Sequence, residues 1–112
     1  MAGLVVEAGT VTVVLSAVEK AESLHGDLVV PRSAVRAVRA VEDGMAEIHG
    51  LRAPGTAVPG VIVAGTFHYQ GTRTFAVCHR HRPAVVLELV GAEVDRVVVT
   101  VEDPQAVVAA LA

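Results

Sequence analysis

The sequence predicts a mainly β domain, an antiparallel barrel of about seven strands capped by a short C-terminal α-helix. Three observations carry that expectation. Valine supplies 25 of the 112 residues, and its branched Cβ suits a pleated surface better than a helix. Only Phe67, Tyr69 and Phe75 are aromatic, so the core must be gathered from many small side chains on short strands closing on each other. Turn-forming residues recur at roughly 8–12-residue spacing with no long helices between them, which excludes a doubly wound α/β arrangement.

The elements follow in order. Leu4 to Leu15 reads as a strand or tight strand pair, with Ala8-Gly9 as bulge or turn. Ser16 is placed to cap a short helix from Ala17 to Leu24, with Glu19 as its capping-box partner and His25-Gly26 as the stop. Asp27 to Val30 is a short strand ended by Pro31. One turn at Arg32 to Val35 then leads into a strand reaching Glu42, and Asp43-Gly44 breaks it. Met45 to Arg52 reads as a short irregular strand entering an ordered Pro-Gly loop, Gly50 to Gly60. Such a loop is longer than a connection requires.

Val61 to Tyr69 and Thr74 to His81 form a hairpin about Gln70-Gly71-Thr72-Arg73, where Gly71 can take the positive φ a tight turn needs. Pro83 separates the next strand, Ala84 to Val90. Gly91-Ala92-Glu93 turns the chain into a last strand, Asp95 to Val101. Asp103 and Pro104 start a helix running to Leu111, with the cap residue and then Pro at the first helical position. This helix is almost wholly apolar, as one that plugs a barrel or sheet opening, or packs on a partner, would be.

Bulk composition limits function. At 53% hydrophobic and 19% charged residues the chain is globular, and a single domain over 1–112 buries roughly two thirds of its unfolded surface. A net charge of −3 gives no basic stripe for nucleic acid. Cys78 is alone, which excludes an internal disulfide and a Cys-based zinc site. No apolar run nears the ~20 residues of a membrane helix, and the N-terminus has no basic flank or cleavage pattern. A cytoplasmic protein is the expectation.

Several segments together resemble the small bacterial pleckstrin-homology-like proteins of actinobacterial type. They are Val30 to Val35, Arg52 to Gly60, Gly65-Thr66, Phe75 to Val77, Pro83 to Leu89 and Val101 to Pro104. The Pro-Gly segment is the most specific of them. The resemblance covers most of the chain from residue 28 onward. It implies the barrel of about seven strands with its C-terminal helix, and a scaffold for lipids or proteins with no assigned activity. The chain departs from phosphoinositide-binding relatives in two ways: Leu4 to Leu15 carries no Arg or Lys, and the terminal helix has no Trp.

The chemically richest run is Phe75-Ala76-Val77-Cys78-His79-Arg80-His81-Arg82. On a continuous strand Phe75, Val77, His79 and His81 share one face, with the two imidazoles ~7 Å apart at Cα. That distance lets two ligands share a metal, but a catalytic zinc takes three, and His25, His49 and His68 fall in no local ligand spacing. Partly exposed strand-end histidines are the plainer alternative. Cys78 as a nucleophile would need a base in reach, whereas a lone Cys in an apolar run is ordinarily a small buried hydrophobe. Arg80 and Arg82, with Arg52 and Arg73, form a candidate cationic patch for phosphate or carboxylate. Its alternative is a solvated face balanced by Glu88, Glu93 and Asp95. No glycine pattern cradles a nucleotide, and no carboxylates are spaced for acid–base work.

No catalytic residue, metal ligand or cofactor is therefore assigned. The leading expectation is a non-enzymatic binding or assembly module, engaging a protein partner or forming a homo-oligomer through open strand edges. The candidate surface is Arg52, Arg73, His79, Arg80, His81 and Arg82. The alternatives are a small metal-dependent enzyme or sensor using His79 and His81, and weak anionic-lipid or phosphate binding through Arg80 and Arg82.

Overall fold

The strands segregate into two sheets of unequal size. The computed structural model describes residues 2–23, 26–58 and 60–111, the side chains of 51–54 excepted. Within it run β1 Gly3–Val6, β2 Thr10–Val14, α1 Ala17–Ser23 and β3 Leu28–Pro31. A 3-10 turn at Arg32–Ala34, β4 Val35–Val41 and a second 3-10 turn at Gly44–Glu47 follow. The chain continues with β5 Leu51–Val58, β6 Ile62–Tyr69, β7 Thr72–His79, β8 Ala84–Leu89, β9 Arg96–Thr100 and α2 Pro104–Leu111. Leu24 and His25, the expected end of the first helix, lie outside the described residues, as does Pro59.

The small sheet has the order β1-β2-β3 and the large one β4-β8-β9-β7-β6-β5. The mainly β class with a C-terminal helix is thus observed. Among the described residues there are nine strands rather than about seven, and no closed cylinder, because pairing stops at β1 and β3 and at β4 and β5. One pair also departs from the antiparallel expectation. Residues 80–83 carry the chain across the sheet, so β8 pairs with β4 instead of β7. β9 fills the gap between them, antiparallel to β8 and hence parallel to β7.

The inner positions of the small sheet, Val11, Val13, Leu28 and Val30, pack onto Phe75, Val77, Val85, Leu87, Val97 and Val99 of the large one. On the other side of the large sheet Ala76, Cys78, Ala84, Val86 and Val98 form a second cluster with Phe67. Met45 and Ile48, in and just after the second 3-10 turn, cover it. Val97, Val98 and Val99 are all 0% exposed. Strands buried on both faces read as near-unbroken apolar runs, which accounts for Val85 to Leu87 and Val97 to Val99.

Two expected elements are corrected. The Pro-Gly segment is no loop but strand β5, with its register shifted between Arg52 and Gly55. On the outermost strand a proline's missing N–H is tolerated. Gly55 faces Gly65, and a Cβ on Gly55, whose φ is +148°, would lie 2.2 Å from the Ala64 carbonyl oxygen. Met45 onward is not an irregular strand. Asp43 Oδ1 accepts from Met45 N at 3.0 Å and starts the 3-10 turn there.

The helices sit at the seams between the sheets. α2 packs on β4, β8 and β1, and α1 on β5 and β6. Asp103 caps α2 as expected, accepting from Ala106 N at 3.2 Å. No α2 residue is fully buried, so it lies over its seam rather than plugging an opening, with Val107 and Leu111 turned to the core. The open strand edges invoked for self-pairing are in large part flanked by these helices.

Candidate functional site

β7 ends at His79, two residues earlier than expected, because Arg80 adopts the left-handed conformation (φ +57°). A left-handed residue breaks strand alternation, so His79 and His81 do not share a face. Each meets its own carboxylate. His79 Nε2 lies 2.7 Å from Glu19 Oε2 on α1, and His81 Nδ1 lies 2.8 Å from Asp43 Oδ2 before the 3-10 turn. The strand end thus ties the large sheet to a helix on one side and to the cover of the second cluster on the other.

Glu19 is the better-embedded partner, 2% exposed. It completes the expected capping box: Ser16 N donates to Glu19 Oε1 at 2.8 Å, and Glu19 N donates to Ser16 Oγ at 3.1 Å. Burial pushes its carboxyl pKa up. Hydrogen bonds from the Ser16 amide, His79 and the Ser16 hydroxyl outweigh that and hold it below the ordinary carboxylate value. Asp43 is also lowered, chiefly by the hydrogen bond from His81.

The metal-ligand pair anticipated at His79 and His81 is accordingly split. No group of three or more His, Cys, Asp or Glu residues gathers among the described residues. Cys78 is fully buried, its Sγ 3.7 Å from the Val98 carbonyl oxygen. Burial pushes its thiol pKa up to about 12 and the Asp43 charge adds to this, against a lowering hydrogen bond from Thr100. A thiol so protonated and enclosed is no nucleophile.

The expected cationic patch is divided as well. Arg80 and Arg82 are exposed and make no ion pair among the described residues. Arg73 lies near the start of β7, about 24 Å from Arg80 for seven residues of β-rise. Its guanidinium donates to the Glu93 carbonyl at 3.0 Å and its amide to Asp95 Oδ2 at 2.8 Å. The Arg52 side chain lies outside the described part. Its backbone pairs with Phe67, toward the Arg73 end. Glu88, expected as a counter-charge to the patch, instead pairs with Arg96 at 2.5 Å.

Two surfaces escaped the sequence reading. The first continues the second face of the large sheet. Where the 3-10 turn stops covering it, the residues become polar: Thr74, Arg96 and Glu88 lie in one cross-strand row. Beside them a cleft of about 220 Å³ opens between His49, Tyr69, Thr72, Thr74 and Arg96, with Glu47 at its wall. Arg96 and His49 are far apart in sequence from β7, so only topology could join them. The alternation of Thr72 and Thr74 with Ala76 and Cys78 on one face was a readable trace.

The second surface is the outer face of the small sheet. Val5, Thr12 and Val29 form one row across its three strands, Gly3 and Val14 the next, and Thr10 and Pro31 a third. Val5, Val14 and Val29 are 45%, 38% and 59% exposed. None of the seven positions is charged.

No family model, no curated protein and no solved structure matches the chain. Among the described residues, no helix is long and apolar enough to cross a membrane.

Proposed function

We propose that this protein is a non-enzymatic binding and assembly module, and that a second copy of the chain docks on the outer face of its three-stranded sheet. The observation that carries this reading is the uncharged row Val5–Thr12–Val29 with Val14 beside it, exposed on a regular sheet. Around a two-fold axis the same surface must meet itself. A face with no charge meets its own copy without like-charge repulsion, whereas it offers nothing to select a charged partner.

The size of the face sets the strength. Three strands about 4.8 Å apart, four residues long at about 3.4 Å each, span roughly 200 Å². A standard interface uses about 800 Å² per partner. The association is therefore weak and reversible, in the ~0.1–1 mM range.

The kinship with pleckstrin-homology-like proteins belongs to the same reading. Its support is the set of motifs from Val30 to Pro104 and the shared coarse plan of packed β-sheets with a C-terminal helix. The parallel β7–β9 pair is a departure from a wholly antiparallel barrel.

Sedimentation equilibrium between ~10 μM and ~1 mM tests the dimer. The expected result is a mass rising with concentration, abolished by Val29→Lys and by Thr12→Lys. A constant monomer mass up to the top of that range, or a dimer indifferent to both substitutions, overturns it.

One observation favours a second reading, weak anionic-lipid contact. Arg80 carries no ion pair among the described residues, and its amide donates at 2.9 Å to the carbonyl of Val61, which is 45% exposed next to the 46% exposed Val58. Co-sedimentation with phosphatidylserine vesicles should then weaken with salt and with Arg80→Ala. Binding insensitive to either removes that reading. The metal-dependent alternative loses its motive, since His79 and His81 face different partners.

A further inference from the structure

We infer that the cleft at the polar end of the large sheet is a binding site for a neutral, ring-sized polyhydroxylated ligand: a single pyranose or the terminal sugar of a glycan. This inference is independent of the dimer face, which lies on the other sheet.

Charge argues first. Among the described residues, the two ionised groups lining the cleft, Arg96 and Glu47, are already paired within the chain. Arg96 is held by both carboxylate oxygens of Glu88, with Nε 2.5 Å from Oε1 and Nη2 3.3 Å from Oε2. Glu47 Oε1 is held at 2.7 Å by Arg39 Nη2. An anionic ligand would have to displace Glu88 while facing Glu47, and a cation would have to displace Arg39 while facing Arg96. A neutral ligand meets neither obstacle, and can still use the lone pairs and N–H groups these partners leave over.

Shape argues next. A cleft of about 220 Å³ admits one ring and not two. It lies below the usual range for drug-sized ligands. Its aromatic wall is His49 and Tyr69, with centroids 5.7 Å apart and planes inclined by 42°. Inclined planes cannot sandwich a flat heterocycle. One open aromatic face can instead take the C–H side of a sugar ring, and Tyr69 is 48% exposed.

Hydrogen bonding argues last. Thr72 and Thr74 alternate on one strand face, roughly 7 Å apart at Cα, and Gln70 adds an amide that both donates and accepts. Hydroxyls at two such points match the spread of hydroxyls around a pyranose. Each threonine hydroxyl can donate or accept and the Gln70 amide offers one group of each kind, which suits a ligand rich in hydroxyls that do both.

The test is an amide-shift titration of the full chain, isotopically labelled, with methyl β-glucoside and N-acetylglucosamine. Glucuronate and glucosamine serve as charged counterparts of the same size. The expected result is saturable shifts at Gln70, Thr72 and Thr74 with a dissociation constant in the ~1–10 mM range. The charged sugars should bind about tenfold more weakly, and Tyr69→Ala should weaken neutral binding about tenfold. Tyr69 is half exposed, so this variant keeps the dispersed spectrum that reports folding. No saturable shift at those amides, tighter binding of a charged sugar, or binding unchanged by Tyr69→Ala in the folded variant each overturns the inference.

Discussion

The two faces of the six-stranded sheet are covered by very different amounts of structure. Over the first lies a second sheet, and the resulting cluster contains 17 buried residues. Over the second lies little more than the four-residue turn Gly44–Glu47, and that cluster contains six. The central strands β7, β8 and β9 are nevertheless apolar on both sides wherever both of their faces are covered. The contrast teaches where function can be placed on such a fold. The first face is committed to stability from end to end. The second is apolar only as far as its small cover reaches, and the side chains just beyond that limit become Thr74, Arg96 and Glu88 and form a cleft.

The largest expected effect breaks or upholds that contrast directly. Phe75→Ala empties a fully enclosed position in the first cluster and should cost about 3–5 kcal/mol. Phe67→Ala, in the second cluster and 7% exposed, should cost about half as much, since a thin cover can settle into the space. Denaturant unfolding of both variants decides it. Equal losses would mean that the turn covers its cluster as rigidly as a sheet does.

A second substitution probes the tightest point under the turn. A Cβ on Gly44 would lie 2.7 Å from Ala84 Cβ and 2.9 Å from Cys78 Sγ. Gly44→Val should therefore destabilise by about 1–3 kcal/mol through overpacking. It should also make Cys78, fully buried in the native protein, more reactive toward thiol reagents than it is there. Loss of stability without any gain in thiol reactivity would mean that the strain is relieved elsewhere.

The same contrast explains what the sequence disclosed. Local chemistry was legible: the Ser16–Glu19 capping box, the Asp103 cap and Pro104 start of α2, the buried character of Cys78, and the positive φ of Gly71. The turn at Gln70-Gly71 proved shorter than expected, because Gln70 also takes a positive φ (49°) and closes a two-residue hairpin. Pro54-Gly55 was misread because turn residues and an irregular edge strand share one vocabulary, and only the partner strand distinguishes them. The divergence of His79 and His81 was hidden in the backbone of Arg80, a residue type that rarely signals a left-handed φ. The cleft was invisible for a different reason. Its walls come from β6, β7, β9 and the region after the 3-10 turn, and no spacing along the chain reports that β9 inserts between β7 and β8.

The His79–Glu19 contact joins the two levels of construction, because it anchors the helix of the small sheet to the large one. His79→Ala should cost about 1 kcal/mol at neutral pH, the typical loss of a hydrogen bond at a partly buried site. Its pH dependence follows from the lowered carboxyl of Glu19. The unfolded chain binds that proton more readily, at the ordinary value of 4.5, than the folded one does. The contribution is thus complete above that value and fades as pH falls through the lower folded-state pKa. Unfolding curves of the native protein and of Glu19→Gln should converge as the solution is acidified below pH 4.5. A gap that stays constant down through that range would show that Glu19 acts there as an uncharged packing group.

The smallest expected effect concerns Arg80, where the strand breaks. A non-glycine residue pays a steric cost in the left-handed region of about 1–2 kcal/mol, and glycine avoids it while losing more chain entropy on folding. Arg80→Gly should therefore be neutral or stabilising by a few tenths of a kcal/mol, with His79 and His81 keeping their separate carboxylates. If stability instead falls by ~1 kcal/mol or more, the guanidinium makes contacts that hold the strand end in place. If stability is kept while binding to anionic vesicles is lost, then the side chain is retained against its backbone preference for what it meets outside the molecule. That outcome would locate a second functional end on the large sheet, at the opposite end of β7 from the cleft.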